Sequence, residues 1–208
     1  MKKLIPLLLV VLTFAACEKD PDTDKLDNKY LVYTNYDSKA DFKAFQTYYM
    51  PDSILVIGDK KEAEYWKDES AQEILQAYAT NIRGFVRVDD REEANLGLQV
   101  SYIKSTYYFN DYGRPEWWWN YPGYWDAPYW GNWGGWYYPY AVTYTYSTGS
   151  FITELLNLEA TQGEKEKLPV LWTSYMSGLL SGSTSVNTKL AVEGVNQAYA
   201  QSSYLTNK

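Results

Sequence analysis

The sequence predicts an α+β domain: a mostly antiparallel sheet with two helices packed on one face and a long aromatic-rich hairpin loop between two strands. Several segments have the apolar pattern and length of strands, and two of them, 151–158 and 168–176, flank a polar turn. Two other segments, 70–84 and 184–200, carry apolar residues at helical spacing. The length of 208 residues, with 46% hydrophobic and 22% charged residues, suits one globular domain.

The N-terminal segment is typical of a secretory leader. Two lysines precede an apolar run over 4–12 that is too short to span a bilayer as a mature helix. The Phe-Ala-Ala-Cys sequence at 14–17 resembles a bacterial lipobox, in which the cysteine receives a diacylglycerol and its amine an acyl chain such as palmitate. We therefore expect a signal peptide over 1–16 and a lipidated Cys17, the only cysteine of the chain. The alternative is an ordinary signal peptide followed by an unmodified cysteine.

Residues 17–30 are expected to form a flexible tether that begins with the lipidated Cys17. The segment after the cysteine is polar and charged and has no apolar periodicity. Its acidic run is similar to export signals that send some Gram-negative lipoproteins to the outer face of the outer membrane, although a solvated spacer has the same composition. We expect an outer-membrane lipoprotein, anchored by lipid on the periplasmic face or at the cell surface.

Extended segments alternate with turns through the body of the chain. A short turn or the start of a helix over 41–45 leads into a segment at 47–50. In the segment over 95–103, Leu96, Leu98 and Val100 share one face and small or polar residues share the other, which predicts a strand with one buried face. The other extended segments are predicted over 31–36, 54–57, 141–146, 151–158 and 168–176.

Two helices complete the predicted domain. Ser70 and Glu73 match a capping box at the start of the first helix, and Gly84 stands where its C′ residue is expected. A second helix is predicted over 184–200, where Gly194 weakens the pattern. The apolar stripe of the first helix consists of Ala71, Ile74, Leu75, Tyr78 and Ile82.

The order of these motifs resembles one family. Asp41-Phe42, the segments 94–100, 149–152 and 168–172, and a closing helix are similar to the bacterial lipoprotein family of domain of unknown function 4136 over residues 31–205. The family usually has Ala-Asp-Leu where this chain has Ala94-Asn95-Leu96, and often Leu-Val-Trp where it has Val170-Leu171-Trp172. The resemblance implies an envelope lipoprotein with a single α+β domain over 31–205. It implies no reaction and no catalytic residue.

An aromatic-rich insertion over 107–146 interrupts the domain. It contains 11 Tyr, 7 Trp and one Phe, and the glycines and prolines among them forbid a regular helix or a long strand. Nineteen exposed rings would exceed the roughly 300–600 Å² apolar patch of a typical monomer, so the rings must pack together, pack on the sheet or meet a partner. A protein, a glycan and the bilayer interface are all candidate partners. The candidate contact residues are Trp117, Trp118, Trp119, Trp125, Trp130, Trp133 and Trp136.

Composition excludes several classes of chemistry. The chain has no histidine and one cysteine, so histidine-based catalysis, zinc–thiolate clusters and internal disulfides are excluded. The net charge of −7 becomes more negative by two when the leader lysines are removed, which argues against a nucleic-acid partner. Ser101 and Lys104 spell S-x-x-K, but on a strand they would face opposite sides. No cofactor or metal is expected.

The sequence therefore favours a non-catalytic envelope lipoprotein that presents the aromatic-rich insertion for contact with a protein or with the envelope. The alternative is a glycan-binding module of a carbohydrate uptake system. A third and weaker class is a hydrolase with a carboxylate pair drawn from Asp111, Glu116, Asp126 and Glu154.

Overall fold

The computed structural model describes residues 30–58, 64–104, 135–142, 147–160, 167–179 and 182–208. The predicted signal peptide over 1–16, Cys17 and all of the predicted tether except Tyr30 lie outside these ranges. Within them the chain forms nine strands, two α-helices and two short 3-10 turns, at Phe42–Ala44 and Arg91–Glu93.

The α-helices are α1 (Glu69–Asn81) and α2 (Thr184–Ala200). The strands are β1 (Leu31–Tyr36), β2 (Thr47–Tyr49), β3 (Ile54–Ile57), β4 (Glu64–Trp66), β5 (Val86–Arg87), β6 (Leu96–Ile103), β7 (Trp136–Tyr137), β8 (Ser150–Asn157) and β9 (Leu168–Ser177).

The sheet is mixed but mostly antiparallel, which confirms the predicted α+β class. The main strand order is β1-β9-β8-β6-β2-β5, and its long pairs, β1 with β9, β9 with β8 and β8 with β6, are all antiparallel. The parallel pairs are short, such as β3 beside the last residues of β6 and β7 beside the first residues of β9. Since β6 and β8 are antiparallel neighbours, the aromatic-rich insertion is a hairpin connection, as predicted.

Helix α1 has the predicted buried stripe but a different cap. The residues of the stripe, from Ala71 to Ile82, are each no more than 4% exposed. The N-cap is Asp68 and not Ser70, because the Asp68 carboxylate accepts a hydrogen bond from the Ala71 backbone N–H at 3.1 Å. The Trp66 indole N–H also donates to this carboxylate, at 2.6 Å, and holds it in place. Beyond the helix, Gly84 takes a φ of 90°, a conformation that favours glycine.

Helix α2 has the predicted bounds, and its glycine has a packing role. A Cβ atom at Gly194 would lie 2.7 Å from Met176 Sδ on β9 and 3.6 Å from Val32 Cγ2 on β1. The missing side chain therefore lets the helix approach the sheet closely, which compensates for the low helix propensity of glycine. Both helices pack on the same face of the sheet, as predicted.

Both faces of the sheet are buried, which corrects the prediction of one buried face for β6. Leu96, Leu98 and Val100 face the helices, but Gln99 and Ser101 on the other face are also only 5% and 0% exposed. A second apolar cluster lies on that other face. It includes Trp136, and Tyr138 and Tyr140 pack against it, so part of its cover comes from the end of the aromatic-rich insertion.

The strand predicted over 141–146 is not formed at Ala141 and Val142, and 143–146 lie outside the described residues.

Candidate functional site

One of the eight predicted site residues lies within the described part of the chain, namely Trp136. The others lie outside it, and the structure does not test them. They are Cys17, Trp117, Trp118, Trp119, Trp125, Trp130 and Trp133.

The position of Trp136 corrects its predicted role as a surface contact residue. Its side chain is 0% exposed and belongs to the apolar cluster on the second face of the sheet. It sits in β7, where it pairs with Leu168 at the start of β9. The ring is therefore a core residue that closes this face, and it offers no surface to a partner.

A buried carboxyl group fixes the segment around Trp136. Glu154 lies in the middle of β8 and is 0% exposed. The Trp136 indole N–H donates to its Oε1 at 3.2 Å, and the Tyr138 hydroxyl donates to the same atom at 2.6 Å. Buried polar groups need such partners. We call the arrangement of Trp136, Tyr138 and Glu154 the Glu154 junction. It ties the end of the insertion to the sheet.

The junction gives Glu154 a structural role, as the acceptor of two side-chain hydrogen bonds. The three carboxylates that could pair with it, Asp111, Glu116 and Asp126, lie outside the described residues. The S-x-x-K pair is separated as expected: Ser101 is buried within the sheet, and Lys104 is exposed and 3.2 Å from Glu64 Oε1.

The return of the chain into β8 is also held by side chains. The Tyr175 hydroxyl accepts a hydrogen bond from the Ser147 backbone N–H at 3.1 Å and lies 3.1 Å from Ser150 Oγ. Asn35 Nδ2 of β1 donates to the Ala141 carbonyl at 2.8 Å. The described residues on both sides of 143–146 are therefore fastened to the sheet.

A groove on the helix-covered side of the molecule was not anticipated from the sequence. It has a volume of about 460 Å³ and lies between β4, the ends of β3 and β6, the start of β8, and the N-terminal parts of α1 and α2. We call it the aromatic groove, because rings form much of its wall. Its aromatic and apolar lining includes Trp66, Ile74, Tyr102, Phe151 and Leu179.

Three rings of the aromatic groove form a continuous wall. The Tyr102 and Phe151 centroids are 5.1 Å apart, and Trp66 lies 5.7 Å from Tyr102 and 6.2 Å from Phe151. Neighbouring planes are inclined by 33° to 61°, so the wall is curved. Partial burial raises the pKa of the Tyr102 hydroxyl.

The described rim of the groove carries both signs of charge. Lys104 Nζ is 3.2 Å from Glu64 Oε1, and Lys67 Nζ lies 5.7 Å from the centre of the Tyr65 ring. Asp68 is engaged as the cap of α1 and as the acceptor from Trp66. Thr184 and Asn187 of α2 supply neutral polar groups on the opposite side.

The sequence contained only a weak signal for this groove. Trp66 lies outside every element that the sequence predicts, and Tyr102 lies within the strand predicted over 95–103. The groove arises because β4 folds back on β3 and brings Trp66 beside Tyr102 and Phe151, a contact between segments that are distant in sequence.

No cluster of three or more Asp, Glu, Cys or His residues suited to a metal ion occurs among the described residues. In the same residues, no helix combines the length and apolar character needed to cross a membrane.

The chain is similar in sequence and in structure to one protein family. The sequence profile of the family described as "Domain of unknown function (DUF4136)" matches residues 32–202. A crystal structure of a protein of this family from Bacteroides thetaiotaomicron is similar at 61% sequence identity, with a TM-score of 0.80. The match covers 88% of this chain and 100% of that chain. No match was found among curated proteins. The chain belongs to the family of domain of unknown function 4136.

Proposed function

We propose that this protein is a non-catalytic, lipid-anchored lipoprotein of the cell envelope, which presents its aromatic-rich insertion for contact with a protein or with the envelope. The observation that carries the proposal is the position of Cys17. The only cysteine of the chain follows a leader-like apolar run, and the folded domain begins 14 residues later, at Leu31.

The anchor follows from the free energy of burying acyl chains. Each buried methylene contributes about 0.8 kcal/mol, and one chain alone holds a protein only reversibly, so two or three chains are needed for lasting attachment. The 13 residues between Cys17 and Leu31 can span about 45 Å when extended. The domain can therefore reach beyond the lipid headgroups while it stays attached to the outer membrane.

The contact role rests on the composition of the insertion and on the way its end is fastened. Trp and Tyr are enriched where proteins bind partners, and residues 107–146 hold seven Trp and 11 Tyr. The Glu154 junction fixes the end of this segment at Tyr138 and leaves Trp117, Trp118 and Trp119 as the contact candidates farthest along the chain from it. The acidic net charge disfavours nucleic acid as the partner.

The anchor is tested by metabolic labelling with a fatty-acid analogue in a bacterial host that processes lipoproteins. We expect the wild-type protein to be labelled and to fractionate with the outer membrane, and Cys17→Ala to be unlabelled and either soluble or uncleaved. Ser147→Ala, a change far from the leader, serves as the control and should be labelled like the wild type. Equal labelling of Cys17→Ala would refute the anchor.

The contact role is tested by chemical cross-linking in cells followed by mild detergent extraction. A partner that is captured by the wild type should be lost from the double variant Trp117→Ala/Trp119→Ala, while membrane attachment is unchanged. Capture of the same partner at the same level by the double variant would show that these residues do not form the contact.

A second candidate is a glycan-binding module of a carbohydrate uptake system. The observation that favours it is the aromatic groove, because sugars stack their C–H faces on aromatic rings while neighbouring polar groups bind their hydroxyls.

A further inference from the structure

We propose that the aromatic groove is a binding site for a neutral saccharide, which stacks on Trp66 and Tyr102. This proposal rests on the second candidate function above, to which it gives a site and a ligand class. It does not depend on the lipid anchor or on the tryptophans of the aromatic-rich insertion. The argument rests on the size of the groove, the packing of its rings and the charge of its rim.

The size of the groove is that of a small-molecule site. Pockets for small ligands have volumes of roughly 300–1,000 Å³, are mostly apolar and carry a few polar groups that fix orientation. The aromatic groove has about 460 Å³ and combines the buried side chains of Ile74, Phe151 and Leu179 with polar groups at its rim.

The ring packing excludes a cage for a cation. In such a cage the cation lies over ring faces, within about 6 Å of each centroid, and the rings must therefore stand apart around it. Here the three centroids are 5.1 to 6.2 Å from one another, so Trp66, Tyr102 and Phe151 already touch and leave no space between them. A ligand can meet only the groove side of this wall, as a stacked sugar ring does.

The rim favours an uncharged ligand. Among the described rim residues, Glu64 and Asp68 balance Lys67 and Lys104, and these charges are already engaged within the protein. A strongly anionic or cationic ligand would find no excess of opposite charge. Hydroxyl groups, in contrast, can both donate and accept, and the amide of Asn187 and the hydroxyl of Thr184 lie within the same groove.

The stacking surface is held in advance of binding. The Trp66 indole N–H donates to Asp68, and Asp68 is in turn fixed as the cap of α1, so the ring orientation is set by two independent elements. A ring that is fixed in the free protein loses little conformational freedom when a ligand binds, which increases affinity.

The proposal is tested on the full chain, purified in mild detergent, with an array of neutral glucans, mannans and galactans next to sulfated and uronic-acid polysaccharides. We expect binding to neutral members and a loss of at least about tenfold in affinity for Trp66→Ala, equivalent to about 1.4 kcal/mol. Trp66→Phe, which keeps a ring, should retain most of the binding. Thermal denaturation verifies that each variant is folded.

Two further variants keep the test decisive if Trp66→Ala unfolds. Asn187→Ala at the rim should weaken binding by about threefold to tenfold, the effect of one lost hydrogen bond. Trp117→Ala/Trp119→Ala should bind as the wild type does. Binding to no neutral saccharide, binding to charged polysaccharides alone, or loss of binding only in Trp117→Ala/Trp119→Ala would each overturn the proposal. The last result would leave the contact role of the insertion intact.

Discussion

The side chain of Asn95 joins three segments of the fold. Its Oδ1 accepts hydrogen bonds from the backbone N–H groups of Gln46 and Thr47, at 2.9 and 3.0 Å. An Asp at this position could accept the same two hydrogen bonds. The Asn95 Nδ2 group instead donates to the carboxylate of Glu159, which follows β8. The Asn95 amide can therefore lie beside the Glu159 carboxylate, which an aspartate at position 95 would repel.

We predict that Asn95→Asp lowers the free energy of unfolding by about 0.5–1 kcal/mol at neutral pH, because two carboxylates then face each other. Glu159→Gln in the same chain should restore most of this loss. A double-mutant cycle by denaturant unfolding measures the coupling. Strictly additive effects of the two substitutions would contradict the proposed contact.

Buried tyrosines make the fold sensitive to alkaline pH. Tyr78 is 0% exposed, and burial raises its pKa well above the ordinary value in spite of the Thr153 and Ser174 hydroxyls nearby. Burial does the same for the pKa of Tyr199. Their protonated forms are favoured by folding, so this stability is fully present below the unfolded tyrosine pKa of about 10 and is lost as the pH rises from there towards the folded pKa.

We therefore predict that the free energy of unfolding falls as the pH rises from about 9.5 to about 11.5, a range that begins near the unfolded tyrosine pKa of about 10. Urea titration at a series of pH values measures this decline. Tyr78→Phe removes the titrating group and should make this decline shallower, at the cost of about 1 kcal/mol at neutral pH for the lost hydrogen bond to Thr153. An unchanged pH dependence in the variant would rule out Tyr78 as a source of the effect.

Family motifs at the residue scale mark the core and not a site. Trp172 is 0% exposed, and its indole N–H donates to Ser202 Oγ at 2.9 Å, which connects β9 to the end of α2. Leu96 and Ile152 from the other motifs are also 0% exposed. A resemblance carried by such residues identifies the fold well and says little about function.

At the scale of elements, the spacing of apolar residues predicts the helices and strands whose formation depends on their own sequence. Helix α2 and strands β1 and β3 have the predicted bounds, and α1 buries the predicted stripe. The cap of α1 differed because Asp68 and Ser70 are both good caps, and the choice depends on Trp66, which is not part of the helix. Capping by Asp68 could not be derived from the helix sequence alone.

The second buried face of the sheet could not be predicted, because its cover is not local. Gln99 and Ser101 are typical of a solvent-facing strand, and Glu154 within an apolar run has no evident partner nearby in sequence. Their face of the sheet is covered in part by the end of the long insertion, where β7 pairs with β9. The aromatic groove could not be predicted either, because its rings come from β4, β6 and β8, which are distant from one another in sequence.

We predict that Glu154→Ala loosens the end of the aromatic-rich insertion before it affects the rest of the sheet. The substitution removes the acceptor that Trp136 and Tyr138 share, and each hydrogen bond to a charged or buried group contributes about 1–3 kcal/mol. Limited proteolysis should therefore cut faster within 135–142.

Tyr138→Phe removes one donor and keeps the acceptor, so it should have a smaller effect in the same assay. Lys39→Ala, at an exposed position before the first 3-10 turn, is the control and should leave the cleavage pattern unchanged. Equal cleavage rates for Glu154→Ala and the wild type would show that the junction does not hold this segment.

At the scale of the whole molecule, the first strand of the α+β domain begins at Leu31, and the cysteine for which we propose lipid modification lies 14 residues before it in the chain. The family and the fold class were recognisable from the sequence because both depend on core motifs and periodicity. The identity of a partner was not recognisable, because a composition rich in Trp and Tyr suits a protein interface and the bilayer interface alike.

The central claim is that the mature chain starts at a lipid-modified Cys17, and intact-mass spectrometry of the protein extracted from membranes tests it most directly. The account predicts a chain that begins at residue 17 and carries the added mass of a diacylglycerol and an amide-linked acyl chain. A mature chain that begins at another residue, or one with a free thiol on Cys17, would contradict it.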